Sequence, residues 1–204
     1  MSVIVAPYGG EHHSICADGV SRREFCGSWE YMIDNAIFTA PIHPNWSGAA
    51  LISEAGKLCG IGSLWVNDAM EARSNDKNQD VAGNMFVPSN LLTPIYNDLI
   101  SYGLASASTR PWLGLYTSEA ADQLIVAGIV PDAPASKSDL EIGDLITGIN
   151  NHSTASLSEM YKKIWSLGVA GIDITINIIR DGLDLDVLIK TDNRYNYMDK
   201  RKEH

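Results

Sequence analysis

The chain has 204 residues, of which 45% are hydrophobic and 20% charged, and its 25 acidic against 15 basic residues give a formal net charge of -10. This is the composition of one large or two modest globular domains with a packed core. The acidity argues against nucleic acid as a partner, and the only dense basic run, residues 199–204, reads as a solvated tail. Cys16, Cys26 and Cys59 are odd in number and lack Cys-x-x-Cys spacing, so they signal neither a disulfide framework nor a zinc site and are expected as core thiols.

The N-terminal sequence MSVIVAPYGGEHH has a short apolar run, no basic region before it and no small-residue cleavage site, so it does not read as a signal peptide. No run approaches a membrane span, and no membrane partner is expected. Up to about Gly103 the chain reads as short strands (SVIVAPY, SICADGV, AIFTA, KLCGIGSLWV and NMFV) between clusters of Gly, Pro, Asn and Asp, which predicts an antiparallel barrel or sandwich. The polar stretch from Asn67 to Gly83 has no apolar periodicity and is expected as a long surface loop. Thr93 is placed to cap a helix with Pro94 in its first turn, burying Ile95, Leu99 and Ile100 before Gly103 ends it.

Residues 104–110, LASASTR, have the composition of a linker, and residues 111–192 follow as a second domain with residues 193–204 as a polar tail. From Pro111 to Thr191 the expected order is strand, strand, short helix, strand, long helix, hairpin. Ser156 and Glu159 form a capping-box pair ahead of Leu157, Met160, Tyr161, Ile164 and Trp165 at helical spacing. Ile172, Ile174, Ile176 and Ile178 alternate with polar partners, Asp181-Gly182 supplies a turn, and Leu185, Val187 and Ile189 alternate back. Nothing in the sequence signals a metal, nucleotide or organic cofactor.

These segments carry a resemblance. PWLGL (111–115) looks like the carboxylate-binding loop of a PDZ domain of the circularly permuted bacterial kind, and residues 126–151 look like its central strand, short helix and Gly-Asp turn. VAPYGG (5–10), ADGVSRREF (17–25), AIFTAPIHPNWSGAALI (36–52), GKLCGIGSL (56–64) and NMFVPSNLL (84–92) resemble the second β-barrel of a trypsin-like protease of the HtrA type. The resemblance implies a mainly β fold, a barrel over residues 1–103 followed by an α+β PDZ domain. It also implies PDZ-mediated binding of peptide or unfolded-protein C-termini through Trp112, Leu113, Gly114, Leu115, Leu157, Met160 and Ile164. For those last three helix residues the reading as core packing stays equally open.

By the same resemblance Ser47 stands at the nucleophile position, with the backbone N–H groups of Asn45 and Ser47 as the oxyanion hole. The family's motif is Gly-Asn-Ser-Gly-Gly, whereas this turn reads Asn45-Trp46-Ser47-Gly48-Ala49. The family's catalytic His and Asp belong to a first barrel with no counterpart in this sequence, and a serine without a base is a poor nucleophile. His12, His13 and His43 read as surface or hydrogen-bonded histidines rather than substitute bases. The expectation is therefore a catalytically impaired or truncated protease homologue. The alternative is an active serine endopeptidase whose first barrel lies upstream or on another chain. A barrel without that partner would have an open apolar side near Trp46, which implies a homo-oligomer or a separate first-barrel chain. As it stands the sequence reads as cytoplasmic, and as a cell-envelope or periplasmic protein if it is a piece of an exported protease.

Overall fold

The computed structural model describes residues 1–10, 12–70, 81–105 and 109–198. The chain divides into two compact units, Met1–Phe25 with Ile33–Ala105, and Cys26–Met32 with Ser106–His204.

Unit 1 is built on six antiparallel strands, β1 (Ser2–Ala6), β2 (Ile15–Gly27), β3 (Tyr31–Ala40), β4 (Ala50–Ser53), β5 (Leu58–Val66) and β6 (Gly83–Pro88), closed into a barrel in the order β1-β2-β3-β6-β5-β4. Closure removes the free edges that an open sheet would leave. The side-chain alternation of each strand sends Val3, Val5, Ala17, Ile37, Leu51 and Phe86 into one core. That alternation corrects the expectation for the cysteines. Ala17 faces inward, so Cys16 beside it is exposed, while Cys26 and Cys59 are half-buried.

After the barrel a turn of 3-10 helix (Thr93–Ile95) leads into α1 (Tyr96–Tyr102), which ends at Gly103 in the left-handed conformation, φ 71°, with its N–H donating to the Leu99 carbonyl. The expected cap and burial are not realised. The residue capping α1 is Ile95, without a side-chain bond, and Ile100 is 67% exposed. Leu92, Tyr96, Ile100 and Leu104 are all exposed in and around this helix. Periodicity identified a face but not what covers it. Of the expected loop from Asn67 to Gly83, residues 71–80 lie outside the described residues. Its ends meet through the Ala69 N–H donating to the Val81 carbonyl (2.8 Å), and Arg23 holds the Asp68 carboxylate at 2.8 Å.

In unit 2, strands β7 (Leu115–Ala120), β8 (Gln123–Ile129), β9 (Leu145–Ile149), β11 (Asp173–Arg180) and β12 (Leu183–Lys190) form a sheet in the order β12-β11-β9-β8-β7, with the short β10 (His152–Ser153) paired to β9. The expected β11–β12 hairpin is present, with Asp181 and Gly182 both at positive φ (51° and 79°) as a two-residue turn of the type that matches strand twist. Helix α2 (Leu157–Ser166) begins at Ser156, whose hydroxyl accepts from the Glu159 N–H, while the Glu159 carboxylate accepts from the Ala155 N–H. Its Leu157, Met160, Tyr161 and Ile164 face the core with Leu113, Leu115, Val126, Ile149 and Ile176.

Residues 106–108 of the expected linker and 199–204 of the expected tail lie outside the described residues. The part of the tail that is described is tied down. Arg194–Tyr197 is a 3-10 turn, and the Tyr197 hydroxyl donates to the Asp192 carboxylate at 2.8 Å. Ile176, fully buried at the centre of β11, is the position where packing loss is most direct. Ile176→Ala is expected to destabilise unit 2 by roughly 2–5 kcal/mol, measured as the shift in its urea unfolding midpoint.

Candidate functional site

Two loops carry the candidate site residues, one in each unit. In unit 1 the Ser47 turn is laid against β5. The Gly48 N–H donates to the Gly62 carbonyl (2.9 Å), the Gly62 N–H donates to the Ala49 carbonyl (2.8 Å), and a Cβ at position 62 would collide with the Trp46 carbonyl oxygen. Only glycine at position 62 allows that approach. Gly48 takes the left-handed conformation (φ 73°), and Ser47 is exposed with no hydrogen bond to its hydroxyl among the described residues.

The approach to the turn is fixed by Asn84 of β6, which is fully buried. Its Oδ1 accepts from the His43 N–H at 2.7 Å and its Nδ2 donates to the His43 carbonyl at 3.4 Å. His43 is 2% exposed, and both of its ring nitrogens are engaged. Nε2 lies 2.6 Å from the His13 carbonyl, to which it can only donate, and Nδ1 accepts from the Asn45 N–H at 3.0 Å. The Asn45 amide therefore points at a histidine ring within its own loop. Sequence reasoning singled out Asn45 and Ser47, but had no signal that His43 would take the Asn45 N–H.

In unit 2 the loop Trp112–Leu115 leads into β7. The Leu113 carbonyl accepts from the Ala135 N–H and the Gly114 carbonyl from the Val130 N–H, both at 2.8 Å, so both carbonyls are taken up within the unit. Gly114 adopts φ 80°, and a Cβ there would collide with the Ala133 methyl group. Trp112 braces the loop. Its N–H and carbonyl pair with Asp192 at 3.1 Å each, and its ring lies 5.0 Å from that of Tyr197.

The N–H groups of Leu113, Gly114 and Leu115 all donate to the carboxylate of Glu30. Oε1 accepts from Gly114 at 2.7 Å and Leu115 at 2.8 Å, and Oε2 accepts from Leu113 at 3.0 Å. Glu30 belongs to the segment Cys26–Met32 of this unit and is 6% exposed. Beside it, the Ser28 carbonyl accepts from the Thr117 N–H of β7 at 2.8 Å.

The PDZ domain family matches residues 111–191. The chain is 26% identical to a serine protease Do-like HtrA of Lactobacillus helveticus over 91% of this chain and 48% of the relative. It is 29% identical to a probable periplasmic serine protease do/HhoA-like of Haemophilus influenzae over 86% and 37%, and 25% identical to the periplasmic serine endoprotease DegP of Escherichia coli over 72% and 31%. The chain carries a PDZ domain and is similar to HtrA-type serine proteases over most of its length.

It spans about half the length, or less, of these curated relatives. Its fold is similar to that of the HtrA-type protease AlgW solved with a decapeptide, at TM-score 0.53 and 22% identity over 95% of this chain and 60% of that one. Among the described residues no helix is long and apolar enough to cross a membrane.

Within the PDZ domain, Leu157, Met160 and Ile164, expected either in a peptide pocket or in the core, lie in the core cluster, and the α2 residue that meets the hairpin segment is Tyr161. Its hydroxyl donates to the Gly27 carbonyl at 2.8 Å and accepts from the Glu30 N–H at 3.1 Å, and burial pushes the phenol well above its ordinary range. Glu30 was missed by sequence reasoning. The one signal was its place as last residue of a three-residue hairpin loop, where glycine is usual.

Burial raises the Glu30 carboxyl to about 7, outweighing the lowering by the N–H groups of Leu115, Leu113 and Gly114 and by the charge of Arg194. Arg194 and the Tyr161 phenol are the ionisable groups facing it. A carboxyl raised on docking favours the docked state fully below its undocked value of 4.5 and loses that advantage as pH climbs through about 7. Protection of the Leu113, Gly114 and Leu115 amides against hydrogen exchange, corrected for intrinsic rate, is therefore expected to fall between pH 5 and pH 8. The amides of β11 should keep theirs.

Proposed function

We propose that this chain binds the free C-termini of peptides or unfolded proteins through its PDZ domain, and that as a protease it is catalytically impaired. The observation that carries the binding reading is the convergence of the Leu113, Gly114 and Leu115 N–H groups on a carboxylate. A peptide terminus placed there would run beside β7, the end strand of the sheet, and add to it as PDZ ligands do. The AlgW structures with bound peptides support the same reading by analogy.

Impairment is supported by the serine turn. His43, the nearest histidine in sequence, has both ring nitrogens committed elsewhere, and the Asn45 N–H is held by that ring rather than free for an oxyanion. Without a base the serine hydroxyl stays protonated. A second reading, an active endopeptidase completed by a His- and Asp-bearing barrel upstream or on another chain, is favoured by one feature: the Ser47 hydroxyl is exposed and uncommitted. The exposed apolar side chains Leu92, Tyr96, Ile100 and Leu104 support self-association or pairing with such a barrel, and the periplasmic relatives support a cell-envelope setting.

The chain alone is expected to leave unfolded casein intact, because loss of the base alone lowers turnover by on the order of a millionfold in a serine protease. Cleavage that disappears in Ser47→Ala would establish the second reading instead. For the groove, a peptide ending in a hydrophobic residue with a free carboxylate should bind at least about tenfold more tightly than its C-terminal amide, since charge-assisted hydrogen bonds are worth roughly 1.5–3 kcal/mol. Equal affinities by fluorescence polarisation would remove the terminal-carboxylate reading.

A further inference from the structure

We propose that the PDZ groove carries a built-in ligand, the hairpin tip Gly27–Glu30 of its own chain, with the Glu30 side-chain carboxylate standing where a peptide's terminal carboxylate would lie. An external C-terminus then binds only by displacing the tip. The displacement rests on the peptide-binding reading, whereas the docking of the tip stands on its own geometry.

Several features of the tip match those of a strand-adding peptide. The Glu30 carboxylate takes the N–H groups of Leu113, Gly114 and Leu115, and the Ser28 carbonyl takes the Thr117 N–H from the free edge of β7. On the other side Tyr161 of α2 holds the tip's backbone at both ends, through the Gly27 carbonyl and the Glu30 N–H. Cys26 and Met32, which flank the tip, pack half-buried against the core of this unit.

The local conformation says that docking, not the turn, selects glutamate. Glu30 sits at φ 56°, the left-handed position of a three-residue hairpin loop, where glycine is the unstrained choice. A solvent-facing turn would gain nothing from a glutamate there. Here an unfavourable backbone state and a buried carboxylate persist together because three N–H groups meet the side chain of this one residue while its own N–H donates to the Tyr161 hydroxyl. The preferred ligand chemistry is thus a carboxylate presented by a tight turn, and the tip, being tethered, competes at high effective concentration with any peptide in solution.

The test uses the full chain, isotopically labelled, with Glu30→Ala as the main variant. In the wild type the Leu113, Gly114 and Leu115 amide protons should resonate downfield, and in Glu30→Ala they should move upfield while the β11–β12 amides stay in place. A fluorescein-labelled pentapeptide ending in valine with a free carboxylate should bind Glu30→Ala about tenfold or more tightly than wild type, as expected when a competing closed state limits the binding-competent fraction. Tyr161→Phe, which keeps Glu30 but removes both hydroxyl bonds to the tip, should give a smaller gain in the same direction, and covers the case in which Glu30→Ala fails to fold.

Loop amides that do not respond to Glu30→Ala overturn the docking. Amides that move while peptide affinity stays equal overturn the competition. Loop shifts that change on dilution place the tip in a second copy and overturn the built-in ligand. Amides that move while no variant binds peptide support the docking and sink the peptide-binding reading alone.

Discussion

Successive buried backbone N–H groups that point at one spot leave a concentrated positive potential, and each of them needs an acceptor. Much of unit 2 is arranged around that constraint. The carbonyls of Leu113 and Gly114 are fixed by Ala135 and Val130, the left-handed turn at Gly114 is permitted by its missing Cβ, and Trp112 is pinned to Asp192. The carboxylate of Glu30 is the acceptor that this geometry requires, and it lies more than eighty residues away in sequence.

The serine turn works from similar materials to a different end. It has the close backbone approach, at Gly62, and the left-handed glycine, at Gly48, that let a sharp turn present a hydroxyl. Its amide donor, however, is satisfied within the loop. Asn84, fully buried on β6, grips both backbone polar groups of His43, and His43 in turn holds Asn45. A loop stitched this way is rigid and locally satisfied, and an oxyanion arriving there would have to break the Asn45–His43 bond before using that N–H. The contrast is one of accounting for donors: in unit 2 they meet a buried carboxyl group, and in unit 1 a ring nitrogen of His43 meets the Asn45 N–H.

Much of the architecture was legible in the sequence because short-range rules decide it. The β11–β12 hairpin follows from alternating isoleucines around Asp181-Gly182, and the start of α2 from Ser156 and Glu159. The barrel strands were located but their lengths were not. SRREFCG and YMIDN, which extend β2 and β3 to the tip, fall outside the strands that the sequence pattern marks. The apolar spacing around α1 announced a face without saying that it would be exposed. For the site, PWLGL and the serine turn could be picked out, because backbone conformation there depends on glycines visible in the string. Glu30 could not, since nothing local ties a hairpin-loop glutamate to a loop beyond residue 110.

That unit 2 is not one continuous stretch of chain has a consequence for how the protein responds to being cut. Residues 26–32 enter the unit from a distant part of the sequence. Severing the backbone between Ala105 and Thr109 would leave the tip attached to its strands but no longer tethered covalently to the groove it fills. The tether's entropic advantage would vanish and the tip would become an ordinary dissociable ligand. A protease that nicks the chain there would thus act on the groove as an agonist does, raising its availability without touching a residue of the binding loop.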